Sequence, residues 1–301
     1  MDKPNIALIG MGLIGSSLGH ALKKNRLAAH ISGYAQSAET REKAASIGFV
    51  DSVHDSPEQA CIDADIVFIN TPLSVVGELA ARIIPGLKDN AIITDVGSAK
   101  GGVLKAVTPL LEERVHFVPG HPIAGTEQSG PEAGFAELFE KRWCILTPDE
   151  TTGLIAVEQI AKLWRGMGSE VAFMDAAHHD LVLAITSHLP HLIAFNIVGT
   201  AAQLEADTRS EVIKFSASGF RDFTRIAASD PIMWRDIFLD NKDAVLEMLG
   251  RFSEDLTALQ RAIRHGDGDY LAEVFSRTRD IRQSIIEAGQ DTDAPNFGRD
   301  K

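Results

Sequence analysis

Cysteine is nearly absent from this 301-residue chain, where Cys61 and Cys144 are the only two. They stand far apart, with no ligand-like spacing, which argues against a disulfide framework and against a cysteine-built metal site; no metal is expected. Basic charge is also scarce: 29 Lys and Arg face 42 Asp and Glu, a formal net charge of -13. No basic tract exceeds two residues, so a nucleic-acid backbone is not the expected partner. The first residues lack the basic region and apolar stretch of a signal peptide. Long uninterrupted apolar runs are missing too. The longest, from Leu181 to Val198, is broken by His188, Pro190, His191 and Asn196, and reads as a buried helix rather than a membrane span. The expectation is a cytoplasmic protein that binds neither membrane nor nucleic acid.

What is present begins at once. Asn5 to Ile9 is a short apolar run, and Gly10-Met11-Gly12-Leu13-Ile14-Gly15 follows it directly. A G-x-G-x-x-G loop set between a buried strand and a helix is a dinucleotide fingerprint. Gly10 makes the tight turn, Gly12 lets the backbone approach a pyrophosphate, and Gly15 lets helix and strand pack closely. The helix N-terminus then offers unpaired N–H groups to the phosphates. Further strands are expected near residues 30–34, 64–70, 91–96, 115–119 and 143–147, alternating with helical stretches. That alternation predicts an α/β fold with a Rossmann-type, mostly parallel sheet over residues 1–172. From Ala176 onward helical periodicity takes over, best at Ala176 to Ala202, Ser210 to Ser216, Pro231 to Leu249 and Asp269 to Ala288. An all-helical domain over 173–290 is expected, with a polar tail at 291–301. Its surplus apolar faces point to a homodimer.

Ligands of such sheets sit outside the carboxyl ends of the strands. Three segments fall there: Asn70-Thr71-Pro72-Leu73, Gly97-Ser98-Ala99-Lys100, and Gly120-His121-Pro122-Ile123-Ala124-Gly125-Thr126. His121 reads as a loop histidine with a fixed ring direction, suited to accept a proton from an alcohol as hydride leaves. Ser98 reads either as a helix cap or as a partner of the imidazole or the cofactor amide. In the helical part, Ser187-His188-Leu189-Pro190-His191 places two histidines on one face, either of which could serve structure or substrate. His178-His179-Asp180 reads as a cap or surface segment. Arg221 and Arg225 flank Asp222 at helical spacing; one can grip a carboxylate while the other pairs with the acid. Trp234 is a pocket wall or plain core.

These motifs together resemble the prephenate and arogenate dehydrogenases, or cyclohexadienyl dehydrogenases, of tyrosine biosynthesis, over almost the whole chain. The resemblance implies an oxidative decarboxylation with His121 as catalytic histidine and Ser98 beside it. It assigns the substrate to Arg225 in preference to Arg221, with Trp234, His191 and Thr126 also in the pocket, and His188 as the alternative to His191. It implies a dimer built by the helical domain. Some members carry a fused chorismate mutase or a regulatory domain, for which this chain has no room. A β-hydroxyacid dehydrogenase would need a lysine in the long helix, and there is none between Ala176 and Ala202. A non-catalytic nucleotide sensor is the rival from another class.

The cofactor reading rests on the second strand. An NAD enzyme usually ends it in Asp or Glu, whereas this one runs through Tyr34 to Ala35-Gln36-Ser37. Tyr34, Gln36 and Ser37 are the expected contacts on the adenosine side, with Thr71 and Pro72 across the cleft. Arg41 is the nearest cation for a 2′-phosphate. The reading is NAD, with measurable use of NADP.

Overall fold

The computed structural model describes residues 3–126, 128–203, 211, 214 and 218–287. The expected tail at 291–301 lies outside them, as does the expected helix at 210–216 apart from Glu211 and Lys214. Six parallel strands form the main sheet: β1 (Asn5–Ile9), β2 (His30–Tyr34), β3 (Ser52–Val53), β4 (Ile66–Ile69), β5 (Ala91–Asp95) and β6 (Val115–Val118). Their order is β3-β2-β1-β4-β5-β6. Between them run α1 (Leu13–Lys24), α2 (Ala38–Ile47), α3 (Pro57–Cys61), α4 (Leu73–Ile83) and α5 (Gly101–Val107). The chain reverses direction in the sheet at β1, the switch point where dinucleotides bind in this architecture.

The alternation of β1 explains its double burial. Ile6 and Leu8 join one core with Leu18 and Leu22 of α1, Phe49 and Trp164. Ala7 and Ile9 join the other with Val76 and Leu79 of α4 and Val103 of α5. Successive side chains of a strand point to opposite faces, so a strand buried on both sides must be apolar throughout.

Two expectations are corrected here. The strand at 143–147 does not extend the main sheet. Instead β7 (Gly120–Pro122), β8 (Trp143–Leu146) and β9 (Glu170–Phe173) form a second sheet, in which β7 is antiparallel and β9 parallel to β8. His121 is accordingly a strand residue, paired with Ile145, not a loop residue. Helix α6 (Leu154–Gly166) links β8 to β9.

After β9, α7 (Ala176–Leu183) runs through a π turn at Ala184–His188 into α8 (Leu189–Ala202). Pro190 supplies no N–H to the ladder, a known cause of such local widening. The stretch Ala176–Ala202 is long and apolar enough to cross a membrane by length and composition, with mean hydropathy 1.7. Only 28% of that window is buried within the single chain, which corrects the expectation of a buried helix. Helices α9 (Ser218–Thr224), α10 (Pro231–Asp240), α11 (Lys242–His265) and α12 (Gly268–Glu287) complete the described chain.

The chain divides into compact units at Met1–Val245 and Leu246–Lys301. In the first of these, α7 and α10 are bound tightly to the sheet. Asp180 of α7 accepts the Lys100 and Gly101 N–H groups, each at 2.8 Å, which caps the N-terminus of α5. Asp236 of α10 accepts the Ser74 hydroxyl at 2.6 Å. Two further contacts seal the joint: Asn241 donates to the Asp180 carbonyl at 2.8 Å, and Asp240 lies directly on Gly102.

Gly102 has no room for a side chain, since a Cβ there would overlap the Asp240 carboxylate. Gly102→Ala is therefore expected to destabilise the protein by roughly 1–3 kcal/mol through overpacking. Equilibrium denaturation checks this. Adding Asp240→Ala should recover part of the loss, and an unchanged midpoint in the single variant would refute the close approach.

Candidate active site

The dinucleotide loop has the geometry its glycines require. Gly10 takes φ +101, in the left-handed region, and a Cβ there would strike the Asn70 backbone. A Cβ on Gly15 would overlap the Gly10 carbonyl. Gly12 differs, because its Cβ would meet nothing within 4 Å. Packing within the chain thus does not demand Gly12, whereas a closely approaching pyrophosphate does. Met11 is buried, while Leu13 and Ile14 are half-buried where α1 begins. Across the switch point, Asn70 Oδ1 and Thr71 Oγ1 are buried with no hydrogen-bond partner among the described residues. Buried polar atoms left without partners are costly, and a bound dinucleotide would supply partners. The residues present fit the group.

On the adenosine side, Tyr34 is half-buried, and Gln36 and Ser37 are exposed. Ser37 caps α2 by accepting the Thr40 N–H. Arg41 turns back onto the same loop: its guanidinium donates to the carbonyls of Ala35 and Gln36 at 2.8 and 2.9 Å. It also pairs with Asp55 at 3.2 Å. Pro72 is exposed at the start of α4.

At the other end of the cleft, His121 is 7% exposed. Its backbone neighbour Gly120 is held from both sides. Lys100 Nζ donates to the Gly120 carbonyl at 2.7 Å and to Asp95 Oδ2 at 2.5 Å. Asp95 Oδ1 accepts the Gly120 N–H at 3.3 Å. The His121 ring meets His179 in an Nδ1–Nε2 hydrogen bond of 2.9 Å. His179 Nδ1 in turn lies 2.8 Å from Asp180 Oδ1. Burial pushes His121 well below the usual histidine pKa, helped by the nearby His179, Lys100 and His188. It is therefore neutral at pH 7. Burial alone would raise the pKa of Asp180, but hydrogen bonds from His179 and from the Lys100 and Gly101 N–H groups outweigh it and hold the carboxyl below its usual range.

The network continues into α8 and α10. Asn241 Nδ2 contacts His188 Nδ1 at 3.1 Å. His188 lies edge-on to Trp234, with ring centroids 6.0 Å apart, and Trp234 stacks on His191 at 3.7 Å. Within this group, Trp234 Nε1 is buried without a hydrogen-bond partner among the described residues. His191 Nδ1 donates to the Ser187 carbonyl at 2.8 Å, which leaves Nε2 as the acceptor. Ser98 is half-buried, and its backbone touches His188. It is not the cap of α5, because the N-cap position falls on Lys100 and the N–H groups go to Asp180.

Arg221 is paired with its neighbour Asp222 at 3.5 Å and is largely exposed. Arg225 opens the 3-10 turn Arg225–Ala228. Thr126 is exposed and accepts the Gln128 N–H at 3.2 Å. The cap and surface reading of His178-His179-Asp180 is corrected: Asp175 is the cap, while His179 and Asp180 are buried and bonded to the candidate base. Sequence reasoning also passed over Asn241, which bridges Asp180 and His188. Three polar residues inside an apolar helical stretch were the signal that such partners exist, but nothing local names them.

A Rossmann sheet with a built dinucleotide loop and a buried neutral histidine beyond β6 defines the class of nicotinamide-dependent oxidoreductases. Comparison with known proteins narrows it. Residues 18–173 match the family described as prephenate dehydrogenase, nucleotide-binding domain, and residues 175–277 match prephenate dehydrogenase, dimerization domain. The cyclohexadienyl dehydrogenase of Zymomonas mobilis is 43% identical over 93% of this chain and 96% of its own length. The prephenate dehydrogenase of Bacillus subtilis is 37% identical over 94% of this chain and 76% of its own. The structure of A. aeolicus prephenate dehydrogenase with hydroxyphenyl propionate and NAD+ superposes with a TM-score of 0.88 at 34% identity, covering 95% of this chain and 99% of that one. The chain belongs to the prephenate dehydrogenase family.

His188 makes folding pH-dependent. Burial lowers its pKa from 6.5 to about 4, opposed by Asp180 and the Ser98 backbone. The unfolded chain therefore binds a proton that the folded chain refuses. Stability is full above about pH 6.5 and falls as pH drops toward about 4, by about 3 kcal/mol for this one group. His121 adds a loss of the same sign. Denaturant titrations at pH 7.5 and 4.5 should show a smaller difference for His188→Gln than for the parent; an equal difference would remove His188 from the account.

Proposed function

We propose that the protein oxidatively decarboxylates prephenate to 4-hydroxyphenylpyruvate, and accepts arogenate less readily. The observation that carries this reading is His121, buried and neutral at the end of the cleft on a backbone clamped by Asp95 and Lys100. A neutral imidazole held in one direction can take the proton of the ring hydroxyl. NAD, when bound, would supply the hydride acceptor, and loss of the substrate carboxylate as carbon dioxide would leave the ring aromatic. Gly10 to Gly15 and the N-terminus of α1 would hold the pyrophosphate, with Asn70, Thr71 and Pro72 beside it and Ser98 nearer the reacting end. Tyr34, Gln36 and Ser37 would receive the adenosine ribose. His191, stacked on Trp234, would form the pocket wall, with Thr126 at its rim.

For the carboxylate, Arg225 is preferred. The support is the resemblance to the prephenate dehydrogenases, whose substrate-binding arginine falls on Arg225, and a guanidinium can hold a carboxylate through two parallel hydrogen bonds. The cofactor is read as NAD with measurable NADP use. The end of β2 carries no acid to repel a 2′-phosphate, yet Arg41, the cation nearest that position, is engaged by two carbonyls and Asp55. The protein is further read as a homodimer through its helices. Support comes from the dimerization-domain match and from exposed Ile185, Ile197 and Val198 on the long apolar helical stretch.

Assays with prephenate and arogenate, each with NAD and NADP, test the function directly. Prephenate with NAD should give the highest kcat/KM, and a tenfold preference for arogenate or for NADP would reverse that half of the reading. His121→Asn should lower turnover about 10²–10⁴-fold with nucleotide binding intact.

Arg225→Ala should raise the prephenate KM steeply, by the equivalent of roughly 2–5 kcal/mol, and leave the NAD KM unchanged. If Arg221→Ala does this instead, the carboxylate belongs to Arg221.

A further inference from the structure

Resting on the reading of His121 as the base, we propose that His179 and Asp180 are positioning residues that fix the His121 tautomer and carry the charge it acquires. The argument is a count of protons along three side chains. Asp180 is ionised, so it only accepts; its oxygens take the Lys100 and Gly101 N–H groups and face His179 Nδ1 at 2.8 Å. His179 Nδ1 must therefore carry a proton, and in the neutral ring Nε2 is then a bare acceptor. His121 Nδ1, 2.9 Å from that atom, must be the donor. The remaining lone pair of His121 lies on Nε2, the nitrogen not engaged by the protein network. That atom is the one left to take the proton of the substrate hydroxyl.

The same arrangement resolves a conflict inside the site. Burial keeps His121 neutral, which preserves its lone pair, but burial also opposes the cation formed when the proton arrives. The surrounding groups sharpen that opposition. Among the charged neighbours His179 itself opposes a His121 cation most when both rings are protonated, followed by Lys100 from the β5–α5 segment and His188 from the π turn, while Cys144 on β8 has its thiol pushed up by burial and stays neutral. Asp95 is already neutralised by Lys100. Asp180 is the carboxylate bonded to His179, and it answers the new charge through that ring. As the Nε2–H bond forms on His121, the Nδ1 proton can move toward His179 Nε2, which places the cation directly against the Asp180 carboxylate. No atom or electron is gained or lost in this shift.

The test is a double-mutant cycle with a spectroscopic readout. His179→Leu removes the acceptor, and His179→Gln offers an oxygen in place of Nε2. In the parent, ¹⁵N spectra of the His121 ring should show the proton on Nδ1. His179→Leu should lower kcat by up to about 10⁴-fold, the loss that the wrong histidine tautomer causes in a serine-protease triad, with NAD affinity within about threefold, and His179→Gln should recover a substantial part. In a His121→Asn background, His179→Leu should cost less than about twofold more, because residues acting as a unit are not additive. Equal losses in the two backgrounds, or a parent His121 protonated on Nε2, would overturn the proposal and leave the base assignment standing. A His121→Asn variant that turns over within about threefold of the parent would instead remove the base itself, and this proposal with it.

Discussion

The structure depends on one buried ion pair. Lys100 and Asp95 are both fully buried, and their 2.5 Å contact stands at the end of β5, where the cleft opens. Removing two charges from water costs several kcal/mol per ion before their attraction repays it, so such a pair is weak support for stability in itself. What it provides is position. Asp95 also accepts the Gly97 N–H at 2.8 Å and the Gly120 N–H, while Lys100 donates to the Gly120 carbonyl. Three segments are thereby fixed to one another: the turn carrying Ser98, the start of α5, and the strand carrying His121. Since the backbone N–H of Lys100 is bound by Asp180, the same residue also ties α7 to the sheet. The candidate base and its histidine neighbour meet at this joint.

The amino-acid sequence made much of this legible because some of its constraints are local. The turn at Gly10 and the packing at Gly15 are properties of a few consecutive residues, and they appear in the structure as the pattern requires, while the space beside Gly12 is left open. The apolar strands are legible for a similar reason, since burial on both faces favours apolar residues along most of each strand. The Pro231 helix with its cap is local as well; Asp230 accepts the Ile232 and Met233 N–H groups at 2.9 and 2.8 Å.

Long-range partners were not legible. His179 and Asp180 look like a helix start, and only the packing of α7 against α5 turns the carboxylate into a cap for another helix. Asn241 follows the end of α10 and gives no local sign that it bridges Asp180 and His188. The strand status of His121 was hidden because β7 has three residues and exists by pairing with β8, more than twenty positions away. In each case the partner is set by the fold, not by spacing along the chain.

The helical part shows the same division at a larger scale. Its apolar surplus can be counted from the sequence, but where that surplus goes depends on packing. Half-buried and buried polar groups collect along one line, from His179 and Asp180 through His188 to His191, within a stretch apolar enough to span a membrane. A helix in hydrocarbon would pay heavily for such groups on a lipid-facing side. Here they are satisfied largely by one another and by the sheet: Asp180 by two N–H groups of α5, His188 by Asn241, and His191 by a carbonyl beside Pro190 and by the face of Trp234. The polar line is thus directed toward the nucleotide-binding sheet, which leaves Ile185, Ile197 and Val198 exposed. The same helical stretch therefore has two separable duties, a polar line that completes the candidate site and apolar positions available to a second copy of the chain.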